Sequence, residues 1–257
     1  MPEVSVVIAV HNGEKTLHSA VDSIINQTFS NWELIIVNDA STDNTADIVK
    51  SYQEKYDNII YIRNTRNSGL AKSLNSGIEA ASGRYIARLD DDDICFPARL
   101  EKQYRFMEKH KNIDVLGTGA VLINNNGEMI GALLMPESDM EIRRQIPKLN
   151  PFIHPSVMMK REFAISTGGY DARLKRKEDY DLWARGINKH KYHNIAEPLI
   201  YYRVKRSKTF YTDMYGFWIR LRNAYRGRYL LTGIFWAIIV LSQNVLRKLG
   251  YRQKFMR

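Results

Sequence analysis

Four consecutive carboxylates, Asp90-Asp91-Asp92-Asp93, stand at the end of the apolar run Tyr85-Ile-Ala-Arg-Leu89. Like charges at adjacent positions repel, and a folded chain keeps them together where a cation or a ligand compensates them. A solvated acidic turn is the plainer reading, yet such turns are not launched from a run with the composition of a buried strand. The chemistry suggested is capture of a hard divalent cation and, through it, of phosphate oxygens. A second acidic pair, Glu178-Asp179, opens the segment Glu178-Asp-Tyr-Asp-Leu-Trp183. Acids at a helix start can serve as caps alone, or carry out chemistry on a bound group within hydrogen-bond reach. His154, directly before Pro155 at the start of an apolar run, could ligate a metal, touch an acceptor or serve the structure only.

These residues need elements to carry them. Val4-Ser-Val-Val-Ile-Ala-Val10 is a β-branched run of the kind found in strands covered on both faces, and it ends in the loop His11-Asn12-Gly13. Apolar residues at helical spacing follow (Leu17, Ala20, Val21, Ile24), then a strand over 32–37 and a polar loop, Asn38 to Asp43, in which Ser41 or Thr42 can cap the next helix. Strand, loop and helix recur through Ile59–Ile62, Arg66–Gly69 and Leu70–Ala81 before the acidic stretch. This alternation predicts an α/β fold built on a single Rossmann-like, mostly parallel sheet flanked by helices. Ligands bind outside the carboxyl ends of such strands, where four polar loops converge. Neither G-x-G-x-x-G nor G-x-x-x-x-G-K-[ST] occurs, so phosphates must be held by a metal and side chains. Further on, Asn124-Asn-Asn-Gly127 between two apolar runs predicts a hairpin, His154–Lys160 another strand, Glu178 to about Lys189 a helix, and Glu197–Arg203 the last strand.

The chain has 257 residues, 44% of them hydrophobic, enough for one large domain with an appendage. Its single cysteine, Cys95, excludes an internal disulfide and suits a reducing compartment. The N-terminus offers no secretory address. The net charge of +10 invites a nucleic-acid reading, but thirteen Lys and Arg residues against one acid, Asp213, lie from Arg203 onward, so the charge is a property of the tail. There the cations are interleaved with Trp218, Tyr225 and Trp236 and flank an uncharged stretch over 229–246. That pattern suits an anionic membrane surface better than a nucleic acid, and the stretch reads as an interfacial or re-entrant helix rather than a full span. The expected division is therefore a catalytic domain over 1–203, with a nucleotide-binding half over 1–93 and an acceptor half over 94–203, followed by a basic, apolar helical tail over 204–257.

Six pieces, taken in order, resemble the inverting nucleotide-sugar glycosyltransferases of family 2, which have the GT-A fold. They are Val4–Asn12, Val37-Asn-Asp-Ala-Ser-Thr-Asp43, Asn67-Ser-Gly-Leu-Ala-Lys-Ser-Leu-Asn75, Tyr85–Asp93, Pro97-Ala-Arg-Leu100 and Glu178–Trp183. The flavour is that of bacterial exopolysaccharide and surface-polysaccharide enzymes. The resemblance implies a nucleotide sugar, usually a UDP sugar, as donor. It places Asp39 on the base, with Val10, His11 and Asn12 around the same ring, and Asn67, Gly69, Lys72, Arg88, Asp90 and Asp91 on the rest of the donor. Asp92 would bind Mn²⁺ or Mg²⁺ against the diphosphate, and Asp179 would be the general base, with Glu178, Trp183 and His154 toward the acceptor. A saccharide on a lipid carrier, reached from the inner face of the cell membrane by a peripheral or monotopic enzyme, is the implied partner. Two positions depart from the family: Asn38 stands where Asp is usual, and His11 where Tyr is common. The Q-x-x-R-W signature of processive synthases is absent, which points to one sugar per encounter. A nucleotidyltransferase would carry a Gly-rich basic loop after the first strand, and His11-Asn-Gly-Glu14 is not one; a non-catalytic binding protein on the same fold is the other class.

Overall fold

A computed structural model describes residues 1–204, 221, 222 and 238. The first half follows the sequence pattern. Strands β1 (Val4–Val10), β2 (Trp32–Asn38), β3 (Ile59–Arg63) and β4 (Tyr85–Arg88) lie in the order β3-β2-β1-β4, all parallel. Every residue of β1 and β2 is buried, as the unbroken β-branched runs require. Alternate side chains of β1 feed two layers. Val4, Val6, Ile8 and Val10 pack with Leu17, Val21 and Ile24 of α1 (Leu17–Ile25) and with Val49 of α2 (Thr45–Gln53). Val7 and Ala9 pack with Leu74 and Ile78 of α3 (Leu70–Ala80) on the other face. Each such aliphatic side chain contributes roughly 1.5–3 kcal/mol on burial. The chain leaves β1 toward β2 and β3 and then crosses back to β4 on the other side, so strand order reverses at β1, and the crevice outside the strand ends opens there.

The second half overturns the expectation of a mostly parallel, Rossmann-like sheet. It contains β5 (Ile94–Cys95), α4 (Arg99–Lys109), β6 (Val115–Ile123), β7 (Met129–Leu133), α5 (Asp139–Gln145), β8 (Met158–Lys160), α6 (Arg161–Ser166), α7 (Glu178–Gly186) and β9 (Tyr192–Arg203). The sheet continues β4-β8-β6-β9-β5, with β7 on β6. Strand β8 runs antiparallel to both β4 and β6, β7 runs antiparallel to β6, β5 runs antiparallel to β9, and only β6 and β9 pair in parallel. The sheet is therefore mixed. Parallel neighbours need a long crossover, whereas the tight turn Asn124–Gly127 can only return the chain antiparallel. The expected strand over His154–Lys160 is also shorter: Pro155, whose fixed φ suits a helical first turn, makes His154–Ser156 a 3₁₀ turn, and only Met158–Lys160 pairs. Helix α7 stops at Gly186 rather than Lys189, and β9 begins at Tyr192 rather than Glu197. Helix α2 starts without a side-chain cap from Ser41 or Thr42; Asp43 instead accepts the amide of Thr45.

The expected helical tail lies, apart from Val204, Leu221, Arg222 and Ile238, outside the described residues. Among the described residues, no helix is long and apolar enough to cross a membrane.

Candidate active site

The four loops converge as their positions at the strand ends demand. Asp39, almost fully buried after β2, is the organiser of the first group. Its Oδ1 accepts hydrogen bonds from Asn64 Nδ2 and the Ser68 amide, and its Oδ2 accepts one from the Gly69 amide, each at 2.8 Å. Burial alone would push this carboxyl up, but those bonds together hold it below the usual Asp value. Gly69 supplies its amide from φ = 87°, a backbone conformation that costs a side-chain-bearing residue about 1–2 kcal/mol. Val10 takes part through its carbonyl, which accepts the Asp39 amide, while His11 Nδ1 lies 2.7 Å from the Asp39 carbonyl. Asn12, at φ = 58°, caps the facing loop by accepting the Thr42 amide. Asn38 is fully buried and spans the floor, donating to Tyr61 and accepting the Ser41 amide. An acid there would lose the donation to Tyr61. Beside them a cleft of about 560 Å³ is lined by Ala40, Ser41, Thr42, Arg63, Asn64 and Thr65. Asn67 and Lys72 are exposed at this rim.

The acidic run divides by environment. One carboxylate oxygen from each of Asp90, Asp92 and Asp93 lies within 4.8 Å of the others. Asp93 is fully buried: its Oδ1 accepts the Arg203 amide at 2.7 Å, and its Oδ2 meets no hydrogen-bond donor. Burial, and then the charge of Asp90, push the Asp93 carboxyl up to about 8. A divalent cation with oxygen ligands fits this set, because it would satisfy the orphaned oxygen and reverse the mutual repulsion. Asp92 is thus one member of a convergent trio rather than a lone ligand. Asp91 leans toward the β1 loop, where a Cβ on Gly13 would lie 3.0 Å from its Oδ2.

Arg88 links this group to the acceptor side. It is fully buried at the end of β4, pairs with Asp90 at 2.5 Å, and leaves its Nε and Nη1 without hydrogen-bond partners. It lines a second cleft, about 420 Å³, together with Asp90, Asn150, His154, Glu178 and Asp179. Asp179 accepts a hydrogen bond from Asn150 Nδ2, and burial raises its carboxyl above the usual Asp value. Burial, and then the neighbouring Asp179 charge, push Glu178 up to about 7. His154 Nε2 lies 2.8 Å from the Tyr170 hydroxyl, and burial, with Arg88 nearby, holds the ring well below the usual histidine value, hence neutral.

Trp183 does not reach the acceptor as expected. It is fully buried against Phe152 and Phe163, so neither ring face is open to a sugar, and it supports α7 from behind. Arg222, one of the tail cations that the sequence assigns to a membrane surface as a group, ion-pairs with Asp181 on α7 and with Asp171. Several residues escaped the sequence reading. Asn64 and Ser68 grip Asp39, Asn150 grips Asp179, and Tyr202 closes the second cleft. Ser68 lies inside the Asn67-Ser-Gly69 stretch, where its neighbours drew the assignment, whereas Asn64, Asn150 and Tyr202 sit in no charged or Gly-rich signature and act through contacts distant along the chain.

With this geometry in view, the comparisons are decisive. The pattern of Glycosyl transferase family 2 matches residues 5–168. The chain belongs to that family. EpsE of Bacillus subtilis (strain 168), provisionally named a glycosyltransferase, is 41% identical over 208 residues, covering 79% of this chain and 73% of EpsE. The O-antigen biosynthesis glycosyltransferase WbnJ of Escherichia coli is 37% identical over 210 residues, covering 80% of this chain and 81% of WbnJ. In shape, the family 2 chain is similar to residues 1–349 of S. aureus TarS, solved with UDP-GlcNAc, at a TM-score of 0.71 and 19% identity over 98% of this chain and 73% of that one. The protein is thus a family 2 glycosyltransferase with the GT-A architecture, and its convergent Asp90, Asp92 and Asp93 form a candidate divalent-metal site.

Proposed function

We propose that the protein is a metal-dependent, inverting hexosyl- or N-acetylhexosaminyltransferase that moves one sugar from a UDP sugar to a lipid-linked saccharide during surface-glycan synthesis. The observation that carries this reading is the shared cleft: Asp179, the base candidate, lines the same cavity as Asp90 and Arg88 at the metal group. Asp90, Asp92 and Asp93 would hold Mn²⁺ or Mg²⁺, which neutralises charge on the departing diphosphate when bound. The cleft beside Asp39, lined by Ala40, Ser41, Thr42, Arg63, Asn64 and Thr65, would receive the base and ribose, and the family resemblance is what assigns Val10, His11, Asn12, Asn67, Gly69 and Lys72 to the same donor.

In the reaction itself Asp179 takes the proton of the acceptor hydroxyl as that oxygen bonds to the anomeric carbon, and the bond from that carbon to the diphosphate oxygen breaks on the opposite face. One displacement inverts the centre. Asn150 fixes the orientation of Asp179, and Arg88 offers its free donors to donor or acceptor oxygens in the buried wall. Glu178 and neutral His154 stand where they can bond acceptor hydroxyls. The catalytic unit ends with β9 near Arg203, and the basic tail over 204–257 would hold it peripherally at the inner face of the membrane.

The test is a panel of nucleotide sugars assayed for nucleotide release with and without Mn²⁺, using wild type, Asp92→Ala and Asp179→Asn. Metal-dependent turnover lost in both variants is expected. Unchanged turnover in Asp179→Asn would remove it as the base.

A further inference from the structure

Strand β7 breaks a rule that the rest of the sheet obeys. Among the described residues it pairs only with β6, so one edge meets no other strand of that set, and all five of its residues are exposed. A half-solvated strand alternates apolar and polar residues, and exposed edges are guarded by charge. From Met129 to Met135 the chain reads Met-Ile-Gly-Ala-Leu-Leu-Met, with no charge and no alternation. Met129 is 72%, Ile130 55% and Leu134 56% exposed. In water such a strand invites aggregation, so its apolar surface calls for a partner.

The position of the strand says which partner. Leu133 and Met135 at its end line the same cleft as Asp179, and exposed Leu70 lines the cleft too. Exposed Leu149 adjoins Asn150, the residue that grips the base. Exposed or half-buried apolar side chains, Leu70, Leu133 and Met135, thus share the cleft lining with its polar groups. Lys177 lines it as well, at the end of the exposed run Lys175-Arg176-Lys177, so cations and an apolar strand share one mouth. Apolar side chains that enter the acyl boundary, with cations at headgroup level, are what an anionic bilayer surface binds.

The geometry points to β7 as a membrane-docking edge that seats the mouth of the acceptor cleft directly on an anionic lipid surface. Membrane contact then belongs to the catalytic unit as well as to the tail. A saccharide close to its lipid carrier would reach Asp179 without leaving the interface. This rests on the reading of that cleft as the acceptor site, but the docking can be measured with no substrate present, so the two stand or fall separately.

The natural Cys95 is buried, so Ile130→Cys in the full chain provides the accessible thiol for an environment-sensitive fluorophore. On vesicles of phosphatidylglycerol and phosphatidylcholine, the label should brighten, shift to the blue and be quenched by brominated acyl chains. Ile130→Asp should weaken vesicle partitioning roughly tenfold, with unchanged melting temperature because the site is exposed. Three results would overturn the proposal. The label could stay in water while the protein binds vesicles, leaving the tail as the only contact. It could be shielded before lipid is added, showing that the chain's own apolar stretch over 229–246 covers β7. Its shielding could follow protein concentration, showing that a second copy does.

Discussion

Two carboxylate groups, one after β4 and one at the start of α7, share composition and burial yet differ in what surrounds them. Around Asp93 two further carboxylates converge; Arg88 pairs with one of them, Asp90, and the Arg203 amide bonds one Asp93 oxygen, but the other Asp93 oxygen is left unpaired. Around Asp179 the neighbours are an amide side chain, a second acid that burial pushes toward neutrality, and the buried Arg88. The first arrangement favours a divalent cation, and the second favours a single exchangeable proton. Buried aspartates are thus assigned their work by the partners that the fold brings, not by residue type.

The comparison can be broken at several points. The largest effect should come from Asp179→Asn, which is expected to slow transfer roughly 10²–10⁴-fold while leaving Mn²⁺-dependent donor binding intact; loss of both together would merge the two groups into one. Because burial raises the Asp179 carboxyl, the base is protonated sooner on acidification, so the acidic limb of the wild-type pH–rate profile should lie above the range of an ordinary Asp. Next, saturating Mn²⁺ at about 100 Kd should stabilise the wild type by ~2.7 kcal/mol, roughly 5–10 °C in Tm, and Asp92→Ala should abolish that shift. Asn150→Ala should then cost about tenfold in kcat with little change in donor KM. Its bond favours the ionised base, so its loss should also move the acidic limb upward.

Smaller effects concern stability. Arg222→Gln should lower it by ~1–2 kcal/mol through the lost bonds to Asp181 and Asp171, and Arg222→Lys should restore part of that in urea unfolding. Glu178 has a raised carboxyl at about 7, so its neutral form contributes stability that is complete below the unfolded value of 4.5 and is lost as pH rises through 7. Melting curves from pH 5 to 8 should show that decline in wild type and a flatter profile in Glu178→Gln.

Much of the first half was legible before any coordinates, for a local reason. Strands covered on both faces write themselves as unbroken β-branched runs, and parallel topology then forces their polar loops onto one rim. The loop holding Asp39 and the Asp90–Asp93 run could be placed on that rim from position alone, whereas the separate roles of Asp39, Asp90 and Asp92 came from the family resemblance. The second half resisted because its strands are short or paired across long separations. Three residues of β8 carry no periodicity, and β6–β9 pairing joins Val115 to Tyr192. Trp183 shows the same limit: one turn beyond Asp179 it could face either the acceptor or the core, and only the packing of Phe152 and Phe163 decides for the core.

By itself, then, the sequence determined the donor-side framework and the presence of two acidic groups, because both follow from hydrophobic runs and the residues at their ends. The tertiary structure alone decided that Asp93 joins Asp90 and Asp92, that Asn150 holds Asp179, and that Arg222 is spent inside the protein on α7. Among the described residues it also left β7 exposed beside the second cleft. Those outcomes depend on which distant segments share a few ångströms, and no local propensity encodes that.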